Sequence, residues 1–335
     1  MAPPDANLDL SASPPEAVEV DNNSPLPDVI IHHIFCFLPF KDLVKTSVLS
    51  KQWRLAWTST PYINLSFPSL PSRRVALLIS SALSLCTATK VEKFHLDAGS
   101  YIPTELDGWF RFAAARQVED ASVVFRRSCM VPRILYDFTS LVSLRVSNGF
   151  FPWDFSVHWP SLKKLCIQGI LASPGLWDND RITKIMKGCP VLESLTLRSS
   201  PLESCLLRID SRSLEELVIE ADHILSLSIL APNLLLLRLS GGFVFCPCLM
   251  RVPSLAEAEL NFHKPTALRW NFPNDFKSHL LKLQHVTKVT FGSWCLQVRV
   301  DFVGSFFLGS INNGGKGMAV PVIEMAKYCS VYYSL

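Results

Sequence analysis

The run Trp159-Pro160-Ser161-Leu162-Lys163-Lys164-Leu165-Cys166-Ile167-Gln168 carries the phrase that decides the fold: an apolar residue, two others, an apolar residue, one other, and a third apolar residue. The last two apolar positions alternate with more polar ones, the pattern of a short half-buried strand, because successive side chains on a strand point to opposite faces. The phrase recurs outward in both directions. Upstream it stands at Val91/Phe94/Leu96, Val118/Ala121/Val123 and Leu141/Leu144/Val146. Downstream it stands at Leu192/Leu195/Leu197, Leu214/Leu217/Ile219, Leu234/Leu237/Leu239, Leu255/Ala258/Leu260 and Val286/Val289/Phe291. Successive first positions lie 20 to 31 residues apart. A unit that short leaves its apolar side open, and stacking closes it against the neighbouring unit.

These spacings centre on the period of about 20–29 residues that marks leucine-rich repeats. The expected fold class is α/β, with a parallel sheet on the concave face of an irregular solenoid over residues 68–300. Arg73 to Ala88, apolar at helical spacing (Val75, Leu78, Ile79, Ala82, Leu83, Leu85, Cys86), reads as the first convex-side helix, capping the stack. The asparagine of the standard repeat is missing: residues such as Gly149, Ile170 and Ser200 hold its place. Residues 301–335 do not continue the phrase and read as an atypical tail.

Ahead of the repeats, composition changes sharply at Ser24. The 23 residues before it include Asp5, Asp9, Glu16, Glu19 and Asp21 and no Lys or Arg, with few large apolar groups. Such an arm cannot bury enough surface to offset its ordering entropy and is expected to be disordered. It has neither the basic start nor the apolar middle of a secretory signal. From Ser24 to Phe67 three short helices are expected. Leu26, Ile30, Ile34 and Leu38 recur every four residues as one apolar stripe, Pro27 suits a helix start with Asp28 in its first turn, and Pro39 ends the helix. A second helix over Lys41–Leu49 would turn Leu43, Val44 and Val48 inward. Ser50 can cap a third, Lys51–Thr58, with Trp53 and Trp57 on one face.

Leu26-Pro27, Leu38-Pro39, Lys41-Asp42-Leu43 and Ser50-Lys51-Gln52-Trp53-Arg54-Leu55-Ala56-Trp57 together resemble an F-box without a gap, and Thr46 to Arg54 resembles its plant branch. Trp159 to Leu165 and Gly188 to Leu195 are similar to plant F-box/leucine-rich-repeat proteins. The resemblance implies a three-helix F-box that docks on a Skp-type adaptor, and through it a cullin, in an SCF ubiquitin ligase. Leu26, Pro27, Ile30, Ile34, Leu38, Leu43, Val48 and Trp53 are then adaptor-contact or F-box-core residues. The repeats would hold an unidentified protein substrate.

In such a solenoid the strand residues beside the anchors face the concavity. They include Lys93, His95, Asp97, Arg145, Lys164, Arg198, Glu216, Glu220, Arg238, Glu257, Glu259 and Lys288. Of these Lys93, Arg145, Lys164, Arg198, Glu216, Arg238, Glu257 and Lys288 are the substrate-binding candidates. Their mixed signs point to no single-sign ligand.

Composition excludes other classes. The chain has 335 residues, 49% of them hydrophobic, and 32 basic against 29 acidic side chains, for a net charge of +3. That field is too weak for a nucleic-acid or membrane partner. The most apolar stretch, Ile224 to Met250, is interrupted by Pro232, Arg238, Gly241, Gly242 and Pro247 and reads as buried strands and turns. Ten single cysteines in apolar segments fit a reducing compartment, cytoplasmic and/or nuclear. Cys246-Pro247-Cys248 has no second pair to complete a metal site. Gly309 to Lys316 superficially resembles a phosphate loop, but its spacing is off by one and Gly317 replaces the Ser/Thr that holds magnesium. No catalytic motif is present, so no enzyme and no cofactor is expected. The alternative to a ligase adaptor is a non-catalytic repeat scaffold or ligand sensor.

Overall fold

The computed structural model describes residues 26–66, 72–99, 103–152, 154–169, 179–199, 205–243, 248–262, 283–292 and 322–325. The acidic arm, the Gly309–Lys316 run and most of the tail lie outside them.

Pro27 precedes helix α1 (Asp28–Phe35), and Pro39 precedes α2 (Phe40–Lys45). The Thr46 hydroxyl donates to the Leu43 carbonyl at 2.7 Å, and the chain tightens into a 3-10 turn, Thr46–Val48. Such a side-chain bond to a nearby carbonyl competes with regular helix geometry. Ser50 Oγ accepts the Trp53 N–H at 3.3 Å, and α3 follows over Trp53–Ala56 with Gln52 at its N-cap, shorter than the expected Lys51–Thr58. Ile31, Phe35 and Leu43 form the centre of this module. Leu38, Val44, Trp53, Ala56 and Trp57 pack around it, with the Phe35 and Trp53 rings edge to face at 5.5 Å.

One expectation changes here, and one open choice closes. The inward side of α1 is the Ile31/Phe35 pair, and Ile30 and Ile34, left open between core and contact, are exposed. Val48 is turned out, at 84% exposed. The 3-10 turn is the cause: with three residues per turn instead of 3.6, it rotates Val48 off the face that a continuous helix would give it.

The module is joined directly to the solenoid. Strand β1 (Tyr62–Leu65) pairs in parallel with β2 (Lys93–Gly99), and the Thr87 N–H donates to the Thr58 carbonyl at 2.7 Å. Phe40 packs on the solenoid core while its ring meets Trp57 edge to face. The sheet then continues through β3 (Asp120–Met130), β4 (Ser143–Phe150), β5 (Lys164–Gln168) and β6 (Ser194–Ser199). Strand β7 (Cys205–Asp210) leaves this path, which resumes with β8 (Glu216–Leu230) and β9 (Leu236–Phe243). Strand β10 (Cys248–Arg251) again stands off it, and β11 (Glu257–Phe262), β12 (Lys288–Phe291) and β13 (Val322–Met325) complete it. All these pairings are parallel, as stacked units of one hand require. The nine phrases read from the sequence supply the core, and none of their anchors is more than 5% exposed. Strand β13 adds a strand in register with β12, so the sheet reaches into the segment where the phrase was expected to have ended.

The outer side of the stack changes character along the chain. It begins with helices α4 (Ser72–Leu85) and α5 (Pro103–Ala115), a 3-10 turn (Arg133–Asp137) and α6 (Asn179–Gly188). In α4 the buried positions Val75, Ala76, Ile79, Ala82 and Leu83 follow the helical period, while Leu78 and Leu85 are exposed. Beyond α6, β7 and β10 flank the second half of β8, Ile224 to Leu230, as a short parallel ladder. Leu207 and Ile209, like Leu227 and Ile229, are buried at every second residue, which is the period of a strand.

The corner between the two halves of β8 rests on Gly241, whose φ is +118°. A Cβ there would come within 2.1 Å of the Ala221 carbonyl oxygen. Gly241→Ala should therefore cost at least about 2 kcal/mol, through a backbone conformation closed to other residues and a backbone clash. Chemical denaturation of wild type and variant measures it.

Candidate binding surfaces

The first surface belongs to the helical module. Val29, Ile30, Ile34 and Phe37 are 77%, 46%, 37% and 74% exposed, and Leu26, Pro27, Val48, Leu49 and Leu55 are exposed as well. Helical spacing puts Ile30 and Ile34 along one side of α1, away from Ile31 and Phe35, with exposed Leu26 just before the helix and exposed Phe37 just after it. The Gln52 amide donates to the Leu26 carbonyl at 2.6 Å and to Asp28 at 3.3 Å, which fixes the start of α1 against the loop before α3. The sequence-derived set thus divides. Leu26, Pro27, Ile30, Ile34 and Val48 are presented to solvent, whereas Leu38, Leu43 and Trp53 hold the module together. Val29, Phe37, Leu49 and Leu55 belong to the surface and were not singled out. Their signal was an apolar excess too large for a module of about 40 residues to bury.

The second surface is the inner face of the sheet, where register sorts the side chains into rows. The row before the first strand anchor holds Lys93, Asp120, Ser143, Lys164, Ser194, Glu216, Leu236, Glu257 and Lys288. The row between the anchors holds Asn64, His95, Ser122, Arg145, Cys166, Thr196, Val218, Arg238 and Glu259. The row beyond them holds Asp97, Val124, Ser147, Gln168, Arg198, Glu220 and Ser240.

Parts of the last two rows surround a hollow of about 950 Å³, lined among others by His95, Ser122, Arg145, Gln168, Arg198 and Glu220. Of the eight substrate candidates it brings together Arg145 and Arg198 alone. Lys93, Lys164, Glu216, Glu257 and Lys288 stand in the first row, and Arg238 farther along the middle one.

Several charges are already matched across strands. Arg198 Nε lies 3.0 Å from Glu220 Oε2, an ion pair whose angle leaves that buried N–H without a hydrogen bond. Arg238 Nε lies 3.3 Å from Glu259 Oε2, and Ser194 Oγ donates to Glu216 Oε2 at 2.9 Å. Asn148, with φ at +57°, donates through Nδ2 to the Phe125 carbonyl at 2.8 Å. This side chain ties two repeats one position before the place where the standard asparagine is absent.

Burial holds the His95 imidazole below its ordinary value of 6.5, with Arg145 acting the same way and Asp97 opposing. Below that ordinary value the unfolded chain binds more protons at this residue than the folded one. The stability His95 allows is therefore complete above about pH 6.5 and is lost as pH falls toward the folded value. His95→Gln should flatten this part of the acid dependence in melting temperatures recorded between about pH 7.5 and 5.

Among the described residues no group of three or more His, Cys, Asp or Glu side chains could hold a metal ion, and no helix is long and apolar enough to cross a membrane. Cys36, Cys86, Cys129, Cys166 and Cys189 are free thiols, and burial pushes that of Cys189 up to about 12.

A small helical module with an exposed apolar side, fused to a parallel-sheet solenoid with a polar hollow, is the architecture of F-box proteins built on leucine-rich repeats. Residues 24–64 match the F-box domain, and residues 106–248 match the LRR repeats of FBD-associated F-box protein At5g56370. The Arabidopsis thaliana "Putative F-box protein At1g49610" is 35% identical over 293 residues, 84% of this chain and 72% of that protein. "F-box/LRR-repeat protein 25" of the same plant is 32% identical over 240 residues, 69% of this chain and 90% of that protein. "Putative F-box/LRR-repeat protein At5g02930", also from Arabidopsis thaliana, is 30% identical over 302 residues, 84% of this chain. The chain spans 62% of that last relative's length. No solved structure matches the chain. The chain belongs to the plant F-box/LRR-repeat family.

Proposed function

We propose that this chain is the substrate-recognition subunit of an SCF-type E3 ubiquitin ligase. Its F-box docks on a Skp-type adaptor, and through it on a cullin, while the inner face of the solenoid holds a protein substrate. One observation carries the reading: the F-box keeps its own core in Ile31, Phe35 and Leu43 and leaves apolar Leu26, Ile30, Ile34 and Phe37, on and beside α1, exposed to solvent. A surface of that kind is what a partner helix or groove would bury. The contribution to ubiquitination is proximity: held close, substrate lysines reach a high effective concentration at the transfer site. No residue of this chain performs chemistry in that scheme, which would operate in the cytoplasm, the nucleus or both. The direct test is co-purification of the full chain with a plant Skp-type adaptor. A stoichiometric complex is expected, and a folded chain that captures no adaptor refutes the assignment.

A further inference from the structure

The inner face is not uniformly charged, and the imbalance has a location. From β1 to β6 the middle row reads Asn64, His95, Ser122, Arg145, Cys166 and Thr196, without a carboxylate. Arg145 has the neutral Ser122 and Cys166 beside it on the adjacent strands and takes part in no ion pair among the described residues. Arg198 and Arg238, by contrast, are each held by a glutamate one strand farther on. The hollow is therefore lined by two guanidinium groups and one carboxylate, Glu220, which Arg198 already engages. Among the described residues Val124 and Ala221 are its only apolar side chains, so these offer little to an apolar ligand. Ser122, Ser147 and Gln168 line it on strands next to Arg145 or on its own and add hydrogen-bond donors. At about 950 Å³ it has room for a few residues of an extended peptide.

We propose that this hollow takes an acidic side chain of the substrate protein, with the Arg145 guanidinium as the group that recognises its carboxylate. A guanidinium matches a carboxylate with two parallel N–H···O bonds, and such charge-assisted pairs exceed neutral hydrogen bonds in strength. A floor of paired strands removes part of the surrounding water, so the charge acts more strongly than on a convex surface. The assignment rests on the inner face being the substrate surface.

The test is fluorescence anisotropy on the full chain with two labelled decapeptides, one alternating Glu and Gly, the other Gln and Gly. The glutamate peptide should bind about tenfold more tightly or better, and Arg145→Gln should remove that preference. Arg238→Gln, which breaks a pair outside the hollow, should change the preference less than about twofold. Melting temperatures of the two variants within about 2 °C of wild type show that any loss is local. Equal affinity for the two peptides, equal losses in the two variants, or no binding of the glutamate peptide each overturns the assignment. So does a phosphoserine-Gly peptide that binds more than about tenfold tighter than the glutamate one, since it would make the site a phosphate reader. Adaptor co-purification is scored on the same preparations. A retained adaptor complex without glutamate preference rejects the acidic ligand alone, and a missing complex rejects the ligase reading whatever the peptides do.

Discussion

Replacing Ile30 and Ile34 together by glutamate should abolish the complex with a Skp-type adaptor, weakening it about a thousandfold, while leaving the fold intact. The magnitude follows from two central apolar anchors at about 2 kcal/mol or more each, with charged groups put in their place. The fold survives because both side chains are already part-exposed, at 46% and 37%, so the new carboxylates can stay in water. Exposed substitutions of that kind usually shift stability by no more than about 0.5 kcal/mol each. Ile31→Glu is the opposing control. Ile31 is fully buried beside Phe35, and an unpaired carboxylate there should unfold the module and lose the adaptor for that reason. Adaptor pull-down together with circular dichroism separates the two. If Ile30→Glu/Ile34→Glu retains the adaptor at wild-type strength, the exposed stripe is not the docking surface.

The choice between Ile30 and Ile31 is also where sequence reading reached its limit. Val29, Ile30, Ile31, Ile34, Phe35, Phe37 and Leu38 are apolar nearly all round the helix, so a period of four residues fits more than one phase. Packing settles the phase, through the T-shaped contact of Phe35 with Trp53. The repeats carried no such ambiguity. Within each phrase the anchor spacing alternates faces, and a shift by one residue would move every anchor to the wrong side of the sheet. That is why all nine phrases locate the core although their intervals run from 20 to 31 residues. The outer strands β7 and β10 were harder, because a short apolar segment there must be told from a helix of the kind that precedes it.

Charge pairing on the inner face was hidden in a different way. Arg198 and Glu220 are 22 residues apart, and Arg238 and Glu259 are 21 apart, separations that look unrelated along the chain. Each equals one repeat, so parallel register sets the two side chains on neighbouring strands in the same row. Adding one period to each charged position therefore predicts its cross-strand neighbour. The same step from Arg145 reaches Cys166, 21 residues on, and from Arg145 back to Ser122, 23 residues before. That Arg145 meets no carboxylate in its row among the described residues is thus a property of register, visible once the phrase has fixed it.

Within the solenoid the largest expected loss of stability is at Trp159, which joins two repeats that lack a helix between them. Its indole N–H donates to the Leu135 carbonyl at 2.8 Å, and its backbone N–H donates to the carbonyl of Gly188, at the end of α6, at 2.9 Å. It is fully buried against Phe151, whose ring lies 5.0 Å from that of Phe155 and 5.7 Å from that of Tyr136. Phe151, Phe155 and Trp159, with Tyr136 from the turn before β4, fill between β4 and β5 the space that α4 and α5 fill earlier in the stack. Trp159→Ala leaves a cavity no neighbour can close and should cost about 3–5 kcal/mol. Trp159→Phe restores most of the volume but leaves the Leu135 carbonyl unpaired, at a cost of about 1–3 kcal/mol. In a solenoid each repeat touches only its neighbours, so a weakened joint lowers the coupling between the two halves as well as the total. Denaturant unfolding of Trp159→Ala should broaden or split accordingly, and hydrogen exchange should show amides of β4 and β5 opening ahead of those of β2 and β9. A single, equally sharp transition with less than about 1 kcal/mol lost would show that the aromatic cluster does not hold the repeats together.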